Sequence, residues 1–206
     1  MKQLFLSSFF SEVAELLPDF AGENVKGKTI TFIPTASIPE SVTFYIKSGK
    51  KALENLGLTV EVLELAESSA GDIEKTLRKN DFIYVSGGNT FFLLQELIKK
   101  GADKIISELI TQGKIYIGES AGSMILSADI EYVKLMDSEK KAADLVSYAA
   151  LNVVDFYPVP HHTNFPFAKK VEKIIKNYGD KINLVPIKNS QVILVNGDNF
   201  KVIDSV

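Results

Sequence analysis

Residues 116–126 read YIGESAGSMIL. An aromatic and β-branched run, KIYI at 114–117, stops at Gly118. An apolar run of helical character, AGSMILSA at 121–128, follows at once. A strand that passes straight into a helix is the repeating unit of a wound α/β sheet, so the ends of this stretch point to the fold class. Its middle, Gly118-Glu119-Ser120-Ala121-Gly122, fits G-x-S-x-G, the sharp turn that presents a serine hydroxyl. Such a turn crowds the residues two before and two after the serine, and glycine at both places removes the clash. It also sets the Ala121 amide at a helix start, where it can face an oxyanion. The pentapeptide alone arises by chance in about one chain in ten or twenty of this length. The strand before it and the helix after it give it weight.

Outward from this point the alternation continues. KQLFLSS (2–8) reads as a first strand, followed by an amphipathic helical stretch to about Leu17. KTITFIPTA (28–36) is a second strand, and a helical pattern runs from Pro39 to Leu56, with Gly57 as its stop. TVEVLEL (59–65) alternates as a strand with one wetter face, GDIEKTLRKN (71–80) is a short helix, and DFIYVSGG (81–88) is a strand entering a glycine turn. Two helices follow, ending at Gly101 and Gly113. After a last helix, FAKKVEKIIKNYG (167–179), come INLVPIKN, QVILVNG and NFKVIDSV, separated by Asn/Gly turns. The expectation is an α/β fold: a doubly wound, mostly parallel sheet with helices on both faces and a C-terminal antiparallel hairpin or meander. No repeat, low-complexity segment or linker interrupts residues 1–206, which read as a single domain.

The bulk composition narrows the chemistry. Of 206 residues, none is cysteine, which removes disulfides, thiolate metal sites and a cysteine nucleophile. The two histidines are adjacent, His161 and His162, so a histidine-rich metal site is not expected, although carboxylates leave Mg²⁺ open. The net charge of −3, with basic residues spread along the chain, argues against a nucleic-acid partner. No apolar run approaches the roughly 18 residues of a membrane span. Glu12 and Glu15 interrupt the apolar N-terminal run, which reads as a strand and helix and not a targeting signal. The expected location is the cytoplasm.

Two further elements can serve a serine nucleophile. Ser86-Gly87-Gly88-Asn89-Thr90 lies between a strand and a helix. It lacks the spacing of a dinucleotide fingerprint and the lysine of a P-loop. It can supply a second oxyanion donor from Gly88, or be a plain turn in which Asn89 or Thr90 caps the next helix. YPVPHHTNFPF (157–167) holds the imidazoles that could act as a base.

SGGNTFFLLQEL (86–97), IYIGESAGSMIL (115–126) and VPHHTN (159–164) together resemble the serine peptidases of the dipeptidase E and cyanophycinase family. The motifs occur in the family's order, and the resemblance covers most of the chain. It implies a layered fold like that of class I glutamine amidotransferases, with serine where those carry cysteine. It implies Ser120 as nucleophile and His161, within a Pro-His-x-Thr-Asn pattern, as general base. The amides of Gly88 and Ala121 form the implied oxyanion hole. Among Asp129, Asp137 and Asp155, Asp137 best suits the family's acidic position between serine and histidine. A later family position, in VPIKNSQV, is Asn189 here, which is not a carboxylate but can still orient an imidazole while stabilising its charge less; Asn189 is also a candidate for the substrate side, and His162 is a substrate-side or structural group. The implied activity is hydrolysis of small peptides, dipeptides with an N-terminal aspartate among them, without cofactor or metal. Such a substrate favours a guanidinium receptor. The single arginine is Arg78, and Lys169, Lys170 and Lys173 follow the histidines. The alternatives are a non-catalytic member that holds a small ligand or anion at the helix N-termini, and a hydrolase of a non-peptide amide or ester.

Overall fold

The computed structural model describes residues 1–22 and 24–205. The strands are β1 (Gln3–Ser7), β2 (Thr29–Ile33), β3 (Thr59–Val62), β4 (Phe82–Val85), β5 (Ile115–Glu119), β6 (Tyr157–Val159), β7 (Leu184–Pro186), β8 (Gln191–Asn196) and β9 (Asn199–Asp204). The helices are α1 (Leu17–Ala21), α2 (Phe44–Asn55), α3 (Ala70–Lys79), α4 (Thr90–Lys100), α5 (Ala102–Thr111), α6 (Ala121–Met124) and α7 (Ala168–Tyr178).

Seven strands form one sheet in the order β3-β2-β4-β5-β1-β8-β9. From β3 to β1 the pairs are all parallel; β8 runs antiparallel to β1, and β9 antiparallel to β8. The mostly parallel sheet and C-terminal hairpin are those expected. Of the three tail segments, only two extend this sheet: β7 pairs with β6 in a separate two-stranded ribbon. Val206, the end of the last expected strand, lies outside the described residues.

Period-two alternation feeds two cores. Leu4, Leu6, Ile83, Val85 and Tyr116 face one side, packed against residues of α3, α4, α5 and α7. Phe5, Phe82, Tyr84, Ile115 and Ile117 face the other, against Phe10, Val13, Leu17 and Leu53. All of β4 is buried, as a central parallel strand covered on both faces must be.

Three helical boundaries differ from the sequence pattern. Before Leu17 the chain forms only two short 3-10 turns, and the α-helix starts where it was expected to end. Pro18 has no amide to donate and suits a first turn, not a helix interior. Likewise α2 begins at Phe44, not Pro39. The segment before it is held away by a hydrogen bond from the Asn89 amide to the Ala36 carbonyl (2.8 Å). The helix after Ser120 lasts a single turn; beyond it the amides of Leu151 and Val153 bond back to Ile125 and Leu126. The C-terminal ends of β1, β4 and β5 lie side by side, and the loops that leave them define the site.

Candidate active site

Ser120 leaves β5 with φ 48° and ψ −104°, a strained backbone for a residue with a side chain. Its amide donates to the Ser7 carbonyl of β1 (2.9 Å), and its carbonyl accepts from Ser123 and Met124. The flanking glycines are sterically required. A Cβ on Gly118 would lie 2.6 Å from the Gly122 carbonyl oxygen, and one on Gly122 would lie 2.1 Å from the Val85 carbonyl oxygen of β4. The elbow is thus wedged against the centre of the sheet.

The Ser120 hydroxyl lies 3.0 Å from Nε2 of His161. On the other side of the ring, Nδ1 is 2.9 Å from Oδ1 of Asn189. An amide oxygen only accepts, so Nδ1 carries the proton and Nε2 is free to accept from Ser120. The imidazole is fixed by its surroundings. His161 itself has φ 64°, its amide donates to Ser8 Oγ (3.0 Å), and Ser8 donates to the Ile187 carbonyl (3.0 Å). Phe167 stacks on the ring at 4.8 Å and 24°. Asn189 is steadied by its own amide, which donates to Asn164 Oδ1 (3.0 Å). Burial lowers the His161 pKa below its ordinary value, and the Asn189 hydrogen bond offsets this only in part. The imidazole is therefore neutral at pH 7.

Asp137 does not orient His161. Its Oδ2 accepts from the amide (2.9 Å) and hydroxyl (2.6 Å) of Thr90, so it closes the first turn of α4. Burial pushes its pKa up to about 6. The side chain against Nδ1 is instead that of Asn189, the residue considered both as a weaker orienting group and for the substrate side. Of the two readings of His162, substrate-side or structural, its placement fits the structural one. It is absent from the cavity lining, and its amide bonds to the Ile187 carbonyl, because the left-handed turn at His161 directs neighbouring residues apart. Asp129 accepts from the Glu131 amide.

Gly88 lines the same cavity as Ser120, and Ala121 is the residue after it. Neither amide has a protein acceptor among the described residues, and α6 begins at Ala121. Gly88 has φ 135°, and a Cβ there would lie 2.2 Å from the Ala36 carbonyl oxygen. Around Ser120 opens a cavity of about 520 Å³. Val42, Phe44 and Phe165 form an exposed apolar rim. Inside, Glu40 is paired with Lys141 (2.8 Å). Lys170 instead donates to the Met136 carbonyl (3.2 Å) and lies over the Phe167 ring. Arg78 is remote from this cavity, its guanidinium paired with Glu74 and Glu108 on the surface. Val42 and Phe44 of the rim carry no local sequence signal, whereas Phe165 falls inside the histidine segment and Lys170 follows close behind it.

The family model for Peptidase family S51 matches residues 4–203. The chain belongs to this family. An uncharacterized peptidase of Listeria monocytogenes is 56% identical over 197 residues, which are 96% of each chain. A Listeria monocytogenes EGD-e crystal structure, provisionally named a peptidase E, superposes over 100% of both chains with TM-score 0.96 at 53% identity. A peptidase E of Nostoc sp. is 28% identical over 79% of this chain and 66% of its own. The S51 chain described here is a peptidase of the serine type, its fold that of peptidase E. No helix among the described residues is long and apolar enough to cross a membrane.

Proposed function

We propose that Ser120 is the nucleophile, His161 the general base and Asn189 the group that orients it. The observation that carries this reading is the chain of contacts from Ser120 Oγ through both nitrogens of His161 to Asn189. Ser120 attacks the peptide carbonyl carbon as its proton passes to Nε2. The amides of Gly88 and Ala121 receive the oxyanion. The imidazolium then protonates the leaving amine, and water releases the acyl group by the same route. Asn189 fixes the ring and its tautomer but brings no charge to the imidazolium.

The substrates are small peptides, which a cavity of this volume would enclose. Dipeptides with an N-terminal aspartate are the first candidates, since Lys170 lines the cavity and, among the described residues, no carboxylate is in salt-bridge contact with it. Residues 1–206 act as one domain, in the cytoplasm. The test is hydrolysis of a panel of Xaa-Yaa dipeptides by wild type, Ser120→Ala and His161→Ala. Both variants should lose at least about a thousand-fold in kcat while remaining folded. Full turnover by Ser120→Ala would refute the mechanism.

A further inference from the structure

The cavity around Ser120 has two unlike walls. One is built on the loop that carries Gly88. There Asn89 donates to the Ser138 carbonyl (3.1 Å), Thr90 holds Asp137, and Lys141 pairs with Glu40. This wall is charged. The other is built on the segments that hold His161. Phe9 follows Ser8, which receives the His161 amide, and Phe165 and Pro166 lie between His161 and the Phe167 that stacks on its ring. Phe44 joins this wall by packing edge-on against Phe9 at 6.0 Å and 61°. This wall is apolar. Lys170 passes over the Phe167 ring and turns towards the charged wall, where it donates to the Met136 carbonyl. The buried Glu119 is committed to the Phe10 amide (2.9 Å) and the Tyr84 hydroxyl (2.8 Å).

The reaction assigns the two parts of a peptide to these walls. The departing nitrogen takes its proton from Nε2 of His161, so the residue after the cut leaves along the His161 side. Its side chain meets Phe9, Phe44, Phe165 and Pro166 there. At this mouth Phe165 is 94% exposed, Phe44 65% and Val42 61%. Apolar residues scattered singly over a surface are ordinary, but a group of large ones at the rim of a cavity marks something that covers them. A large apolar side chain laid on this wall removes its own surface and theirs from water. A cationic one would lose hydration without gaining a partner, because the carboxylates of the cavity stand on the other wall or are bonded within the protein.

We propose that the Phe9–Phe44–Phe165 wall is the subsite for the residue after the cut, and that it selects peptides whose second residue is large and apolar. This rests on the Ser120–His161 reading above. The test is a set of dipeptides that share the amino-terminal residue turned over best in the panel above and differ in the second: Phe, Leu, Ser and Lys. The second residue departs in the acylation step, so its effect is read in kcat/KM. Wild type should favour Phe and Leu over Ser and Lys by ten-fold or more. Phe165→Ser and Phe44→Ser alter exposed side chains and should fold. Each should lower the Phe-to-Ser ratio of kcat/KM three-fold or more, whereas a purely structural role would lower both substrates together and leave the ratio at its wild-type value. Equal kcat/KM across the set overturns the proposal, as does a ratio that neither variant lowers. Sedimentation of the same samples tests the other occupant. Variants that keep the ratio but dissociate a wild-type dimer would make this rim an interface between copies of the chain, and the proposal would fall. A wild type that turns over no member of either panel defeats the peptidase reading itself, and the proposal with it.

Discussion

The nucleophile and the base of this site are held in different ways. Ser120 is gripped by backbone: its amide on Ser7, its carbonyl in the first turn of α6, and glycines wedged against the β4 and α6 carbonyls. His161 is gripped by side chains, Ser8 at its amide and Asn189 at Nδ1, with Phe167 across its face. A backbone grip tolerates almost no change in shape, whereas a side-chain grip can be altered one bond at a time. The charges differ as well. A carboxylate lies beneath the serine, where no positive charge develops, and a neutral amide lies behind the imidazole, where one does.

The sharpest way to break this contrast is at the elbow. Gly122→Ala places a methyl group 2.1 Å from the Val85 carbonyl oxygen, in a central strand that cannot move aside. The expected cost is about 3 kcal/mol or more, with loss of fluorophosphonate labelling even where the variant folds. Denaturant melts and labelling of the same preparation check it. A melt and a labelling rate like wild type would mean that the turn is not wedged.

The side-chain grip should yield more gradually. Asn189→Ala leaves Nδ1 without its acceptor and the ring free to change tautomer. The expected loss is roughly ten- to hundred-fold in kcat/KM, with the fold intact. Asn189→Asp sharpens the comparison, because it adds the missing charge without changing the shape. A carboxylate in place of this amide should raise the His161 pKa from its burial-lowered value. His161 must be neutral to accept the serine proton, so wild-type activity is lost as pH falls through the lowered pKa. In Asn189→Asp that acidic limb should move to higher pH. A limb that stays in place would show that His161 is not the titrating base.

The same contrast explains what could be read from the sequence. The elbow is a contiguous motif, and its glycines are demanded by local sterics, so GESAG between strand and helix was legible together with the parallel sheet. The orienting group was legible only in part, as one alternative beside Asp137. Asn189 reaches His161 from a loop 28 residues away, by a single side-chain bond. Asp137 matched the expectation of charge, yet its carboxylate was committed to Thr90 of α4. The sequence pattern also gives no sign that the 3-10 turns before Pro18 replace a helix, because the periodicity of apolar residues is nearly the same in both.

The effect most specific to the buried charge is in stability. The Glu119 pKa rises on folding from an ordinary 4.5 to about 7, so between these values the folded state binds more protons than the unfolded. Its contribution is therefore fully present below about pH 4.5 and is lost as pH rises through about 7. Glu119→Gln has no proton to lose there. Its stability relative to wild type should thus improve across this interval, by about 3 kcal/mol at the full shift, and stay level above it. Urea melts of both proteins at pH 4.5, 6 and 8 provide the difference curve. Asp137 also titrates in this range, but it is present in both proteins and cancels. A flat difference curve would mean that the carboxylate is ionised in the fold at ordinary pH, with the Phe10 and Tyr84 donors replacing all the solvation it gives up.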